Sequence, residues 1–193
     1  MKLSRVDGPP PGGPDENELF ARVIARDVDA FEVLYRKYQQ RLVPFLTRML
    51  RRPQLVEEVL NDTMMVVWQR GDRFRGASRL STWIFAIAYR TALKTRSRWP
   101  QPVEDRGLDS RVSREPEPDA HLAQQRLHDA ILKAMAELSP EHRAVIDLTY
   151  FQGFGYHEIA DIANCPVNTV KTRMFHARRK LREGLSGVAG DWL

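Results

Sequence analysis

The 193-residue chain has a single cysteine, Cys165, so no internal disulfide can brace it. No uncharged run approaches the ~20 residues of a membrane-spanning helix. The opening MKLSRVDGPPPGGPDENE lacks the apolar core of a signal peptide. A cytoplasmic protein with no direct membrane insertion is expected. Catalytic equipment is missing as well. His157-Glu158 opens like a metalloprotease helix, but Asp161 stands where the second histidine is required. There is no phosphate-binding loop and no cysteine-centred site, and the histidines are dispersed. These gaps exclude an enzyme and imply neither a metal nor a cofactor. One further absence concerns charge: between Val167 and Arg182 there is no Asp or Glu. Solvated helix faces usually mix signs, whereas a surface that meets phosphates stays positive.

That acid-free stretch, NTVKTRMFHARRKLRE at 168–183, has helical spacing. At about 100° per residue, Val170, Met174, Ala177 and Leu181 form one stripe that a core can bury. Lys171, Thr172, Phe175, His176, Arg179 and Arg182 face the other way. Asn168 can cap the helix start, and Val167 can staple it. Just upstream, YHEIADIA (156–163) forms a shorter helix that buries Ile159, Ala160 and Ala163. Asn164 suits the left-handed conformation that ends it, and Pro166 prevents it from continuing. Cys165 fills a small apolar site in the turn. Two helices, a short turn and a basic second helix predict a helix-turn-helix. The net charge of +5 and pI of about 9.6 fit a nucleic-acid partner without choosing it over another acidic surface.

Pro and Gly dominate residues 8–14, and residues 1–17 read as a disordered tail. Apolar residues from Phe20 to Met49 then recur at three- and four-residue steps, with a break at ARDVDA (25–30) that Asp29 can cap. Pro44 either kinks the second of these helices or starts another. LVEEVLNDTMMVVWQR (55–70) buries Val56, Leu60, Thr63 and Val67, while Glu58, Asn61, Asp62, Met65 and Gln69 share the opposite side. Spacing by itself favours an ordinary core helix with a solvated acidic face, and a protein-docking face is the sharper alternative. GDRFRGASRLST (71–82) reads as a loop. The following helix passes from apolar to basic, with Trp83, Ile87, Arg90, Lys94 and Arg98 on one side. Aromatics beside cations suit unstacked bases on a charged groove, although Trp83 as core and arginines at a helix C-terminus fit equally.

WPQPVEDRGLDSRVSREPEPDA (99–120) carries four prolines and six acidic residues, and marks a linker between two domains. The second domain starts near Gln124 with a helix that buries Leu127, Ile131, Met135 and Leu138. Ser139 caps the next helix, Pro140 occupies its first position and Gly153 closes it. Its expected buried side is Val145, Ile146, Leu148 and Phe151. No strand pattern or internal repeat is present. The fold class expected is all-α: two small helical domains joined by a flexible acidic linker, the C-terminal one with the helix-turn-helix.

Four stretches, DAFEVLYRKYQQRL, VEEVLNDTMMVVWQRGDRFRG, LSTWIFAIAYRTALK and the run from LSPEHRAVIDLTYFQG through NTVKTRMFHARRKLRE, together resemble an extracytoplasmic-function sigma factor of the sigma-70 family. The resemblance covers almost the whole chain between the tails. It implies a sigma region 2 domain at 18–98, a linker at 99–123, a region 4 domain at 124–186 and a tail at 187–193. It further implies that Glu58, Asn61, Asp62, Met65 and Gln69 dock on the largest subunit of core RNA polymerase. Minus-10 promoter DNA would meet Arg75, Ser78, Arg79, Thr82, Trp83, Arg90, Lys94 and Arg98. Minus-35 DNA would meet Thr169, Lys171, Thr172, Arg173, Phe175, His176, Arg178 and Arg179, with the second domain on the second-largest subunit. An anti-sigma factor is the remaining partner implied. The chain departs from the pattern at Arg90, where many relatives carry Asn, and at His176, where some carry Arg. The rival readings are a stand-alone helix-turn-helix regulator and a sigma mimic that sequesters an anti-sigma factor.

Overall fold

The computed structural model describes residues 14–98 and 130–189, and among them every regular element is helical. The expected linker at 99–123 lies outside the described residues, as do 1–13, 124–129 and 190–193. The first half comprises α1 (Pro14–Ile24), α2 (Val28–Leu50), α3 (Pro53–Arg70) and α4 (Leu80–Arg98). The second comprises a helix at 130–136, here α5, then α6 (Pro140–Tyr150), α7 (Tyr156–Ala163) and α8 (Val167–Ala189).

Helix α1 starts at Pro14, inside the segment expected to be a disordered tail to residue 17. A proline at the first helical position costs no hydrogen bond. Glu16 then anchors the turn: it is buried, its Oε1 accepts from the Tyr38 hydroxyl at 3.2 Å, and Lys37 pairs with it at 2.9 Å. The cap of α2 is Asp27 rather than the expected Asp29, because Asp27 is the extended residue whose carboxylate accepts from the Ala30 amide at 3.0 Å. That amide and the Arg22 side chain hold the Asp27 carboxyl below its ordinary pKa. Pro44 lies inside an unbroken α2. Ser139 caps α6 as expected, its Oγ accepting from the His142 amide at 3.3 Å. Asn164 closes α7 at φ 48°, also as expected. Helix α8 begins one residue early, at Val167, so Asn168 lies in the first turn instead of capping it; its carbonyl accepts from the Thr172 hydroxyl at 3.0 Å.

The burial pattern follows the apolar spacing on α3, where Val56, Leu60, Thr63 and Val67 are buried, and on α8, where Val170, Met174 and Ala177 are. Two places depart from it. Phe151, expected inside, is exposed beyond the end of α6, where the Arg48 guanidinium stacks on its ring at 4.5 Å. On α4, every residue from Ile84 to Tyr89 is buried. A helix packed on one side cannot bury six consecutive residues. Helix α4 does so because α2 and α3 cover one side and α7 the other. One continuous apolar cluster therefore runs through both halves of the chain.

Replacing the α6 cap, Ser139→Ala, is expected to lower stability by about 0.5–2 kcal/mol. Urea denaturation followed by far-UV circular dichroism measures this, and an unchanged midpoint would remove the cap from the stabilising contacts.

Candidate polymerase and nucleic-acid interfaces

On α3, Glu58, Asn61, Asp62, Met65 and Gln69 are all exposed and form one stripe. Met65 stands out, since an unbranched apolar side chain left 51 % exposed in an otherwise polar stripe gains nothing from solvent. The stripe has a neighbour that helical projection of α3 could not supply, because it comes from α2. The Tyr35 hydroxyl donates to Asn61 Oδ1 at 2.7 Å. Phe31 packs on Tyr35 and, at 4.9 Å between ring centroids, on Trp68. Arg26, held at φ 69°, lies over the Trp68 ring and donates to its carbonyl. The acidic stripe thus borders a half-buried aromatic ridge.

Between α3 and α4, a 3-10 turn at Gly71–Arg73 leads into an irregular segment whose reversal uses Gly76 at φ 69°, a conformation open to glycine. Arg75 and Arg79 are exposed there and Ser78 is half-buried. Arg90, Lys94 and Arg98 project from the far part of α4 as an exposed cationic row. Trp83 and Thr82 are placed differently. Trp83 is half-buried in an aromatic cluster with Phe74 at 5.5 Å and Phe20 at 6.0 Å. Thr82 is buried, and its hydroxyl donates to Glu158 Oε1 of α7 at 3.1 Å.

On α8, Lys171, Thr172, Phe175, Arg178 and Arg179 are exposed, and the Phe175 ring is left 64 % exposed. Lys171, Phe175, Arg178, Arg179 and Arg182 line an open groove with Tyr156 of α7. Arg178 also stacks on Tyr150 and donates to its hydroxyl, two contacts absent from any reading of α8 alone. Thr169 is half-buried, and His176 lies edge-on between Phe175 and His142. Burial, then Lys180 and His176, push His142 below the usual histidine value. Arg173 turns away from the groove toward the turn, where its Nη1 lies 3.7 Å from Cys165 Sγ. It also neighbours Tyr89 of α4, whose phenol burial pushes up and Arg173 pulls back down.

The geometry defines an all-helical protein of two packed units, with a helix-turn-helix whose second helix is basic in the second and an exposed acidic stripe in the first. Comparison with known proteins resolves the class further. Residues 34–99 match the family "Sigma-70 region 2" and residues 128–181 match "Sigma-70, region 4". The RNA polymerase sigma-H factor of Pseudomonas aeruginosa is 27 % identical over 180 residues, covering 88 % of this chain and 93 % of that protein. The ECF RNA polymerase sigma-E factor of Haemophilus influenzae is 27 % identical over 176 residues, covering 86 % and 93 %. The structure of CnrH in complex with the cytosolic domain of CnrY has the same fold, with a TM-score of 0.65 at 22 % identity over 88 % of this chain and 96 % of that one. The chain belongs to the sigma-70 family and is a sigma factor of the extracytoplasmic-function class.

Phe175→Ala is expected to leave the thermal midpoint of the chain almost unchanged while weakening duplex DNA binding. An exposed ring contributes little to folding but can cover a thymine methyl. Calorimetry and fluorescence anisotropy separate the two effects; a large fall in the midpoint would assign Phe175 to the fold.

Proposed function

We propose that this sigma factor docks on the largest subunit of core RNA polymerase through the stripe from Glu58 to Gln69, and carries promoter recognition on two separate surfaces. The observation that carries this reading is the pairing on one chain of an exposed acidic stripe around Met65 with an acid-free basic face on α8. A stand-alone duplex-binding regulator needs only the second.

At the minus-35 element, α8 enters the major groove with Lys171, Thr172, Phe175, Arg178 and Arg179 outward. Guanidinium and ammonium groups neutralise phosphates, and the ring supplies apolar contact with a base. Thr169 and His176 border that surface. Arg173 joins it only after leaving Cys165 and Tyr89. At the minus-10 element, Arg75, Ser78 and Arg79 meet the unpaired non-template strand, and Arg90, Lys94 and Arg98 follow its backbone. Melting DNA costs stacking and pairing energy, which new contacts to the exposed strand offset. Because Trp83 is packed against Phe20 and Phe74, its part is to support the loop and offer a ring edge rather than a free stacking face. The second domain meets the second-largest polymerase subunit, an anti-sigma factor restrains the chain, and the factor works in the cytoplasm. No covalent step or cofactor is required.

Run-off transcription with purified core polymerase and a promoter-fragment library tests the whole reading. Specific transcripts are expected; their absence together with absent core binding would overturn it, and core binding without transcripts would favour a mimic. Asp62→Arg is expected to weaken core binding about ten-fold or more, since like charge at a docking face is costly, without altering DNA binding by the isolated chain. Unchanged core affinity would return that stripe to solvent. Lys171→Ala is expected to lower duplex affinity similarly for all sequences and reduce the salt slope by about 1; an unchanged slope in anisotropy titrations would remove Lys171 from the phosphate contacts.

A further inference from the structure

Within the exposed stripe of α3, one side chain is not free to turn. Asn61 is exposed, yet its Oδ1 accepts from the Tyr35 hydroxyl of α2 at 2.7 Å. An exposed asparagine ordinarily gives its hydrogen bonds to water and samples several rotamers. Here a residue on another helix, 26 positions earlier, removes that freedom.

Tyr35 is itself held by a relay of contacts. Arg26, at φ 69°, lies over the Trp68 ring at 5.3 Å and donates to the Trp68 carbonyl at 2.6 Å. Trp68 meets Phe31 at 4.9 Å between ring centroids, and Phe31 meets Tyr35 edge-on at 6.2 Å. Ring contacts of this kind fix the direction of the tyrosine as well as covering its body. Tyr35 is half-buried, and burial, followed by the Glu57 carboxylate, pushes its phenol above the ordinary value. The hydroxyl therefore keeps its proton and donates it at neutral pH.

Locking the amide also sets its polarity. A primary amide carries one acceptor oxygen and an NH2 group with two donors. With Oδ1 engaged by Tyr35, the end of Asn61 left for a partner is Nδ2. Glu58 and Asp62, which share the stripe, offer carboxylates that accept hydrogen bonds and attract cations. Asn61 places a neutral donor between them. We propose that Tyr35 is a positioning residue for polymerase docking, its hydroxyl orienting the Asn61 amide so that Nδ2 donates to an acceptor oxygen on the largest subunit. The inference rests on the reading of the α3 stripe as the docking face. A side chain ordered before contact loses less rotamer freedom on binding, so Tyr35 contributes affinity without touching polymerase.

Binding of the full chain to purified core polymerase, read by competition against a dye-labelled wild-type chain, tests this. Tyr35→Phe keeps the ring and removes the hydroxyl, whereas Asn61→Asp keeps an oxygen for Tyr35 and removes the outward donor. Tyr35→Phe is expected to weaken core binding about two- to ten-fold, the scale of one net hydrogen bond, with a thermal midpoint close to wild type. In an Asn61→Ala background the same change is expected to add no further loss, since the two residues then act as one unit. Asn61→Asp is expected to weaken binding at least as much as Asn61→Ala. Asp62→Arg, outside the Tyr35–Asn61 bond, reports on the docking face separately. Weakened binding by Asp62→Arg beside wild-type affinity of Tyr35→Phe would overturn the positioning role and leave the docking face standing. Equal losses from Tyr35→Phe with and without Asn61 would also overturn it, because the hydroxyl would then act independently of the amide. Wild-type affinity of Asn61→Asp would overturn the assignment of Nδ2 as the donor, and wild-type affinity in every variant would remove the docking reading itself.

Discussion

A carboxylate deprived of water has to be matched by protein, and Asp147 is where this chain matches one half against the other. Burial pushes its pKa up, and the Arg48 guanidinium opposes that push. Arg48 is itself tied to the second half, because Arg143 donates to its carbonyl and to the carbonyls of Met135, Ala136 and Leu138. Burial, followed by the nearby Arg51 and Arg96, pushes Arg143 down to about 10. That value still leaves the guanidinium charged at neutral pH. Breaking one side of such a buried pair costs about 3–5 kcal/mol when the other stays buried. Separation into water is different, since both groups regain hydration. The seam between the halves is therefore intolerant of partial loosening.

Helix α4 carries the consequences. Its Phe85 meets Phe45 of α2 on one side and Phe154 of the second half on the other, and its Thr82 reaches Glu158 of α7. Its basic end, Arg90 to Arg98, remains outside the seam. A single helix thus couples packing between the halves to the surface proposed to hold single-stranded DNA. The α3 stripe, by contrast, is fully open.

Much of the architecture was legible from local patterns. The α7–α8 turn follows from Asn164, Pro166 and the Val170, Met174, Ala177 stripe, since capping chemistry and 3.6-residue spacing are properties of short segments. The α3 stripe from Glu58 to Gln69 follows for the same reason. Less legible were features that depend on partners distant in sequence: Tyr35 beside Asn61, Arg178 on Tyr150, and Phe151 outside beneath Arg48. Asp147 offered a weak signal, a lone acid in the apolar run VIDL, but nothing near it in sequence named Arg48.

The sequence by itself determined the helices, the Ser139 and Asn164 caps, the acid-free basic face of α8 and the division into two units around a Pro-rich acidic segment. These depend on spacing, backbone chemistry and charge within a few turns. Only the tertiary structure decided that α4 is buried on both sides, that Thr82 and Arg79 meet Glu158, and that Arg173 turns from the groove toward Tyr89. Such contacts join residues far apart in the chain: 76 positions separate Thr82 from Glu158, and 99 separate Arg48 from Asp147. Local periodicity carries no information about which distant group supplies the other half of a buried charge.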